Sequence, residues 1–423
     1  MWKQGKSIMD TSMNLIIEQS FVTLIIILMA GLVLGELSTR LRIPDVVFYL
    51  IGGVVLGPEV LNIIQLSDTS IINQIILIFG ASFLLYCGGR EIDIHVLRRL
   101  KVSIISLSTL GVVVSMFVLA AGVHFILGID WMISLLIGAV TASTDPASLI
   151  PIFDKIKIKD DIRQTVISES AFNDAMGTIV TLAIMGIMTS GTFSVGSTLL
   201  NLTKMILIGI IVGLVLSYVI SLLITESKFG IFRQSAPIIS LVLVLITYVV
   251  SQALGGSGYM AAFVAGMVCG NKHKLNLYVP DESHVAQTYF RDTLATIMKM
   301  MIFILLGTHV NFDVLADYFV VTLLTTAMLI FIARPASVFI STAIDFKAGW
   351  SLKDKLFMSW VRETGVIPAA MSSLIVSMKL PGYELVSSIV FMVILITLIL
   401  QGSTTRKVAE KLGVLESTAV KKQ

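Results

Sequence analysis

Two stretches of this chain, Ala236 to Asn271 and Val102 to Ile129, run without an acidic residue, a lysine or an arginine. Each exceeds the roughly 20 residues that an α-helix needs to cross the hydrocarbon of a bilayer. Backbone amides at that depth must be satisfied within the segment or within the protein, so such runs are read as spanning helices. Composition agrees: 56% of the 423 residues are apolar and only 13% are charged. That is too few charges to cover a water-facing exterior, which excludes a soluble enzyme, a nucleic-acid binder and a secreted disulfide scaffold. Cys87 and Cys269 sit in separate apolar stretches, so neither a disulfide framework nor a thiolate metal cluster is expected, and both read as packing residues. No small-residue cleavage site interrupts the first apolar run, which is read as a span and not as a signal peptide.

Dividing the chain at its charged and turn-rich breaks predicts an all-α integral membrane protein of thirteen spans: 14–37, 44–65, 70–90, 102–128, 131–153, 163–189, 200–224, 236–254, 258–271, 291–309, 315–345, 354–377 and 384–404. Six alternate connections and the tail hold most of the lysines and arginines, while the opposite face has only Lys3, Lys6 and Lys379. Basic residues collect on the cytoplasmic side, so the C-terminus is expected inside and the N-terminus outside.

The fifth and twelfth spans carry helix breakers in mid-membrane, TASTDPASLIP with Pro146 and RETGVIPAA with Gly365 and Pro368. Irregular backbone is tolerated at that depth where it is buried in protein or lines a cavity, and paired breaks in corresponding halves point to a transporter's binding site. The expected organisation is one transmembrane domain over 1–423: a first six-helix repeat at 14–189, a linker helix at 200–224, an inverted second repeat at 236–404, and a short cytoplasmic tail at 405–423.

Ionisable residues within spans are costly unless paired or wetted, and by default they mark an ion path. The anomalous ones in this chain are Asp145, Glu169, Asp174, Lys299, Arg334, Arg362 and Glu363. Helical spacing in SESAFNDAMGT puts Ser170 with Asp174 on one face and Glu169 with Asn173 on another. A monovalent cation needs several oxygens, at least one ionised, which Asp174, Ser170, Asp145 and main-chain carbonyls freed near Thr144 can supply. Asp174 could then carry a proton in one half-cycle and a cation in the other. Asp145 also reads as a cap for the half-helix that follows Pro146. Arg334 must find an acid, and Glu169 is the best candidate, in a pair that fixes the site without titrating. Arg362 and Glu363 flank the twelfth-span break and can balance its dipoles. Lys299 either snorkels or pairs with an acid that the sequence does not name. The small residues of GGSGYMAAFVAGMVCG read as close helix packing or dimer contact.

At these residues the sequence resembles the monovalent cation:proton antiporter-1 family, in particular prokaryotic sodium/proton antiporters of the NhaP type. The likeness is carried by RLRIPDVVFYLIGGVVLGP at Arg40 to Pro58, TASTDPASLIPIF at Thr141 to Phe153, ESAFND at Glu169 to Asp174, GSGYMAAFVAG at Gly256 to Gly266 and ARP at Ala333 to Pro335. The resemblance implies an antiporter fold with discontinuous helices 5 and 12, a homodimer, and elevator-like alternating access. It implies Asp174 as the ion- and proton-binding carboxylate with Asn173 beside it, Asp145, Ser170 and the Thr144 carbonyl as cation ligands, and Glu169 with Arg334 as a stabilising ion pair. The related electrogenic group has two aspartates where this chain has Asn173 and Asp174, so one-for-one exchange is expected. Members often read Gly-x-Arg-Gly in the twelfth span, where this chain reads Trp360-Val361-Arg362-Glu363. The expected activity is exchange of cytoplasmic Na⁺ or Li⁺ for external H⁺ across the cell membrane, with no cofactor and no nucleic-acid partner. Exchange of K⁺ for H⁺, or a ligand-gated potassium-efflux system, is the alternative.

Overall fold

The computed structural model describes residues 2–41, 43–64, 70–145, 153, 156–191, 195–225, 235–275 and 281–415. These residues are helical nearly throughout, and a single bridge between Ile158 and Leu415 is the one β-type pairing among them. Pro146, the breaker expected in the fifth span, lies outside the described residues.

The helices are α1 (Trp2–Leu41), α2 (Asp45–Leu56), α3 (Ile71–Arg90), α4 (Ile94–Ser108), α5 (Leu110–Leu127), α6 (Trp131–Thr141), α7 (Asp160–Ser190), α8 (Val195–Ile224), α9 (Ala236–Ala253) and α10 (Gly258–Gly270). They continue with α11 (Asp281–Thr308), α12 (Phe312–Asp317), α13 (Phe319–Met328), α14 (Arg334–Thr342), α15 (Leu352–Trp360), α16 (Val366–Ser377), α17 (Tyr383–Ile396) and α18 (Gly402–Leu412). A π-helical turn, Leu329–Ala333, joins α13 to α14, and another, Thr397–Gln401, joins α17 to α18.

Eight helical segments among the described residues are long and apolar enough to cross a membrane, and four shorter apolar helices stand beside them. The described residues do not divide into thirteen unbroken helices. The spans expected at 102–128, 315–345 and 384–404 come in two or more pieces, and the one at 354–377 is interrupted as its helix breakers lead one to expect. The causes are local. At the α4–α5 joint the Ser108 and Thr109 hydroxyls bond carbonyls one turn back, a habit that bends helices. Elsewhere the π turns and the interruption at 361–365 divide the span.

Helix starts follow their caps. Ser70, Asp130 and Ser257 accept backbone N–H bonds at the first turns of α3, α6 and α10, and Ser351 forms a capping box with Asp354 at α15. Packing between helices rests on small residues. A Cβ at Gly53 or Gly307 would collide with the main chain of the facing helix, so α2 and α11 touch backbone to backbone. Such contacts drive association where lipid offers no hydrophobic gain. The outward faces of α1 and α8 expose Phe21, Ile25, Leu32, Leu207 and Ile211, as a surface against lipid tails requires. At the centre, α6, α7, α15 and α16 bury polar and charged groups.

Candidate functional site

Two interruptions cross. α6 ends at Thr141 and the chain is non-helical from Ala142 through Asp145, while α15 ends at Trp360 and the chain is non-helical from Val361 to Gly365 before α16 begins. The Asp145 N–H donates to the Glu363 carbonyl at 2.8 Å, and the Val366 N–H donates to Asp145 Oδ2 at 3.4 Å. Gly365 is required by this close approach, because a Cβ there would occupy the space of the Asp145 side chain.

The two breaks compensate each other's helix ends. Arg362, 1% exposed, donates to the carbonyl of Thr141, the last residue of α6, and to Thr364 Oγ1 at 3.4 Å. Its positive charge therefore meets the partial negative charge of a helix C-terminus. Asp145 stands in the converse relation to the N-terminus of α16. The described contact of Asp145 is thus with the other broken span, whereas the half-helix expected after Pro146 lies outside the described residues. Within the second break, the Thr364 amide donates to Thr397 Oγ1 at 3.2 Å. Glu363 is fully buried and faces α18, so close that a Cβ at Gly402 would come within 3.1 Å of Oε1.

α7 binds the first break from the side. Its Asn173 accepts from the Thr144 N–H at 3.0 Å, and donates through Nδ2 to Thr144 Oγ1 at 2.8 Å and to Glu169 Oε1 at 3.2 Å. Helical spacing assigned Asn173 to the scaffold face with Glu169, but it joins that face to the break, since its amide is long enough to reach both. Ser170 Oγ donates to the Thr144 carbonyl at 2.5 Å and lies 2.9 Å from Thr144 Oγ1. The Thr144 carbonyl, expected to be freed by the break, is therefore occupied by a hydroxyl.

Asp174 is partly buried on the same helix. Ser143 is its hydrogen-bonding neighbour, and Asp145 is near enough for the two negative charges to oppose each other. Oδ1 of Asp174 is buried with no hydrogen-bond partner among the described residues. A buried carboxylate oxygen without a donor is expensive, and that expense marks a place for something else to bind.

Arg334 and Glu169 form a two-pronged pair, Nη1 to Oε1 at 2.5 Å and Nη2 to Oε2 at 2.8 Å, with both side chains buried. The guanidinium also donates through Nε and Nη2 to the Met358 carbonyl at 3.2 and 3.1 Å. That carbonyl is one of those left without a helical partner because α15 stops at Trp360. The fork geometry suits arginine and not lysine.

Of the residues singled out in the sequence, Thr144, Asp145, Glu169, Ser170, Asn173, Asp174, Arg334, Arg362 and Glu363 come together at the crossing. Lys299 does not. Its ammonium pairs with Asp45 at 2.6 Å, joining α11 to the start of α2. Ser143, Thr397 and Asp45 were not singled out. Asp45 was the most accessible of the three, as an acid beside Pro44 at a helix start. A cavity of about 430 Å³ near Tyr318, Gly382 and Glu384 shares no residue with the crossing.

Residues 24–411 match the family described as sodium/hydrogen exchanger, transmembrane. The chain is 29% identical over 354 residues to Na(+)/H(+) antiporter 1 of Methanocaldococcus jannaschii, covering 82% of this chain and 80% of that protein. It is 28% identical over 391 residues to the K(+)/H(+) antiporter NhaP of Alkalimonas amylolytica, covering 91% of this chain and 65% of that longer protein. Its fold matches the sodium proton antiporter MjNhaP1 of Methanocaldococcus jannaschii at pH 8 with a TM-score of 0.78 and 26% identity, over 92% of this chain and 99% of that one. With the match running through both interrupted spans and the acid-bearing helix between them, and with the helical architecture shared, the chain belongs to the sodium/hydrogen exchanger family.

Proposed function

We propose that this protein exchanges cytoplasmic Na⁺ for external H⁺, one for one, by alternating access, with Asp174 binding the two ions in turn. The observation that carries the reading is the buried Asp174 Oδ1, without a hydrogen bond among the described residues and opposed by Asp145. A proton on Asp174 removes the opposition, and so does a cation held between the carboxylates. The two cannot occupy one carboxylate together, and competition of this kind is itself an exchange mechanism.

Asp145, Ser170 and the Thr144 carbonyl complete the cation's oxygen shell. Thr144 becomes available when the Ser170 hydroxyl, which bonds its carbonyl, turns aside. Asn173 holds the break in place and carries no charge, which supports electroneutral exchange. Glu169 and Arg334 brace the crossing. Li⁺ fits the same hard oxygens. The names of the relatives support both Na⁺ and K⁺ as cations for the family. The clustering of lysines and arginines supports a cytoplasmic C-terminus and an external N-terminus in the cell membrane. The crossing of two broken spans supports inverted six-helix repeats at 14–189 and 236–404 around the linker at 200–224, and membership of the family supports a homodimer within the bilayer.

The test is cation-driven proton movement in proteoliposomes with Na⁺, Li⁺ and K⁺, at clamped and at free membrane potential. Flux that saturates with Na⁺ and ignores the potential is expected, and Asp174→Asn should reduce it to the protein-free background. Exchange retained by Asp174→Asn refutes the single-carboxylate mechanism. Flux driven by K⁺ moves the protein to potassium exchange.

A further inference from the structure

A second group of charges lies apart from the crossing, where α3 and α10 end side by side. A Cβ at Gly89, Gly266 or Gly270 would collide with a carbonyl of the facing helix, so the two backbones are in contact. Asn271 ties the ends together, donating to the Ile92 carbonyl at 2.7 Å and accepting from the Ile94 N–H at 3.1 Å. Arg90, the last residue of α3, and Lys272, just beyond α10, are thereby forced into mutual repulsion.

Neither cation is neutralised by an acid among the described residues. Lys272 is 7% exposed, and no hydrogen bond or ion pair holds its ammonium among the described residues. Arg90 gives Nη1 to the Tyr86 hydroxyl at 3.3 Å, and its Nε is buried with no partner among the described residues. Burial holds the Lys272 ammonium below the ordinary lysine range, with Cys269 working against that effect and Arg90 reinforcing it. Arg291 lies near as well, but it is paired with Asp292. The carboxylates of the neighbourhood are committed elsewhere, Asp93 to Lys274 and Asp292 to Arg291. Glu91 is exposed and makes no ion pair among the described residues. A buried ammonium beside a half-buried guanidinium, with no acid on either among the described residues, favours an anion that joins the two. This end of the molecule gathers basic residues, and basic pockets between helices at the cytoplasmic surface suit phosphate head groups.

We propose that Arg90 and Lys272 form a binding site for a phosphate group, carried by an acidic phospholipid head group or free in solution. The site is independent of the ion-exchange reading, and the crossing shares no residue with it.

The experiment follows thermal unfolding of the full-length protein in detergent, with added phosphatidylglycerol, phosphatidylcholine, or sodium phosphate at matched ionic strength. Phosphatidylglycerol is expected to raise the unfolding temperature more than phosphatidylcholine does. Lys272→Met should abolish that difference and weaken phosphatidylglycerol binding about fivefold, the scale for one cation at a membrane surface. Lys353→Met, at an exposed lysine elsewhere, should leave it intact. Lys272→Met removes a charge that no acid balances, so it is expected to fold and to retain exchange, and Arg90→Gln supplies a second variant. A rise produced by sodium phosphate alone and lost in Lys272→Met would establish the site with free phosphate as occupant. A response to phosphatidylglycerol undiminished in both variants, or no response to either phosphate source in the unaltered protein, would overturn the proposal.

Discussion

The two interruptions lie against each other, yet they are held by different parts of the molecule. The first, Ala142–Asp145, is fastened to α7, where Asn173 and Ser170 take the polar groups of Thr144. The second, 361–365, is fastened to the last helices, where Thr397 takes the Thr364 amide, and to α6 through Arg362. The helix that braces the first break is also the helix that carries Asp174. A shift of Asp174 would therefore reach the first break directly, and the second through the crossing and through Arg334, which joins Glu169 of α7 to the Met358 carbonyl of α15. Breaks that look equivalent in sequence are thus unequal in coupling, one belonging to the site and the other to its support.

Three substitutions probe that inequality. Asn173→Ala removes the acceptor of a buried amide and the donor to a buried hydroxyl, and each unsatisfied group costs about 1–3 kcal/mol. It should give the largest loss of both folded protein and exchange, measured as detergent-solubilised yield and as flux per folded molecule. Gly365→Ala inserts a methyl where the Asp145 side chain stands, and overpacking of this kind costs about 1–3 kcal/mol. Its effect should fall between the other two, with the apparent affinity for the cation weakened more than the unfolding temperature is lowered. Thr397→Val keeps shape and removes one hydroxyl, for about 1 kcal/mol, so exchange should be nearly normal with a small drop in unfolding temperature. If Thr397→Val impaired exchange as severely as Asn173→Ala, the two breaks would be equally coupled and the distinction drawn here would fall.

Much of the crossing was legible because charges are scarce in the spans. When a deep arginine must have an acid and few acids are deep, Glu169 follows from helical spacing, and the structure brings Arg334 to it. The positions of both breaks were likewise marked by the sequences around Thr144 and Gly365. Contacts that depend on how spans lie against one another were not legible. Lys299 and Asp45 sit in different spans, and nothing in either span names the other. Arg362 serves the end of a helix more than two hundred residues away in sequence. Thr397 gave no signal, because a threonine in an apolar helix ordinarily bonds its own preceding turn, and this one does so as well, to the Ile394 carbonyl at 3.3 Å. The thirteen expected spans overstated continuity for a related reason: hydropathy averages over a π turn or a bent joint without registering it.

The π turn at Leu329–Ala333 has its consequence in phase. It admits one extra residue without ending the helix, so every later side chain is advanced by about 100° around the axis compared with an unbroken α-helix. Arg334 is the first residue past it, pointing into the protein at Glu169, while Phe331 and Ile332 within the turn point outward and stand more than half exposed. The direction of this guanidinium is thus a matter of counting as well as of chemistry. A chain shorter by a single residue here would keep its arginine and its proline, and aim the charge away from Glu169.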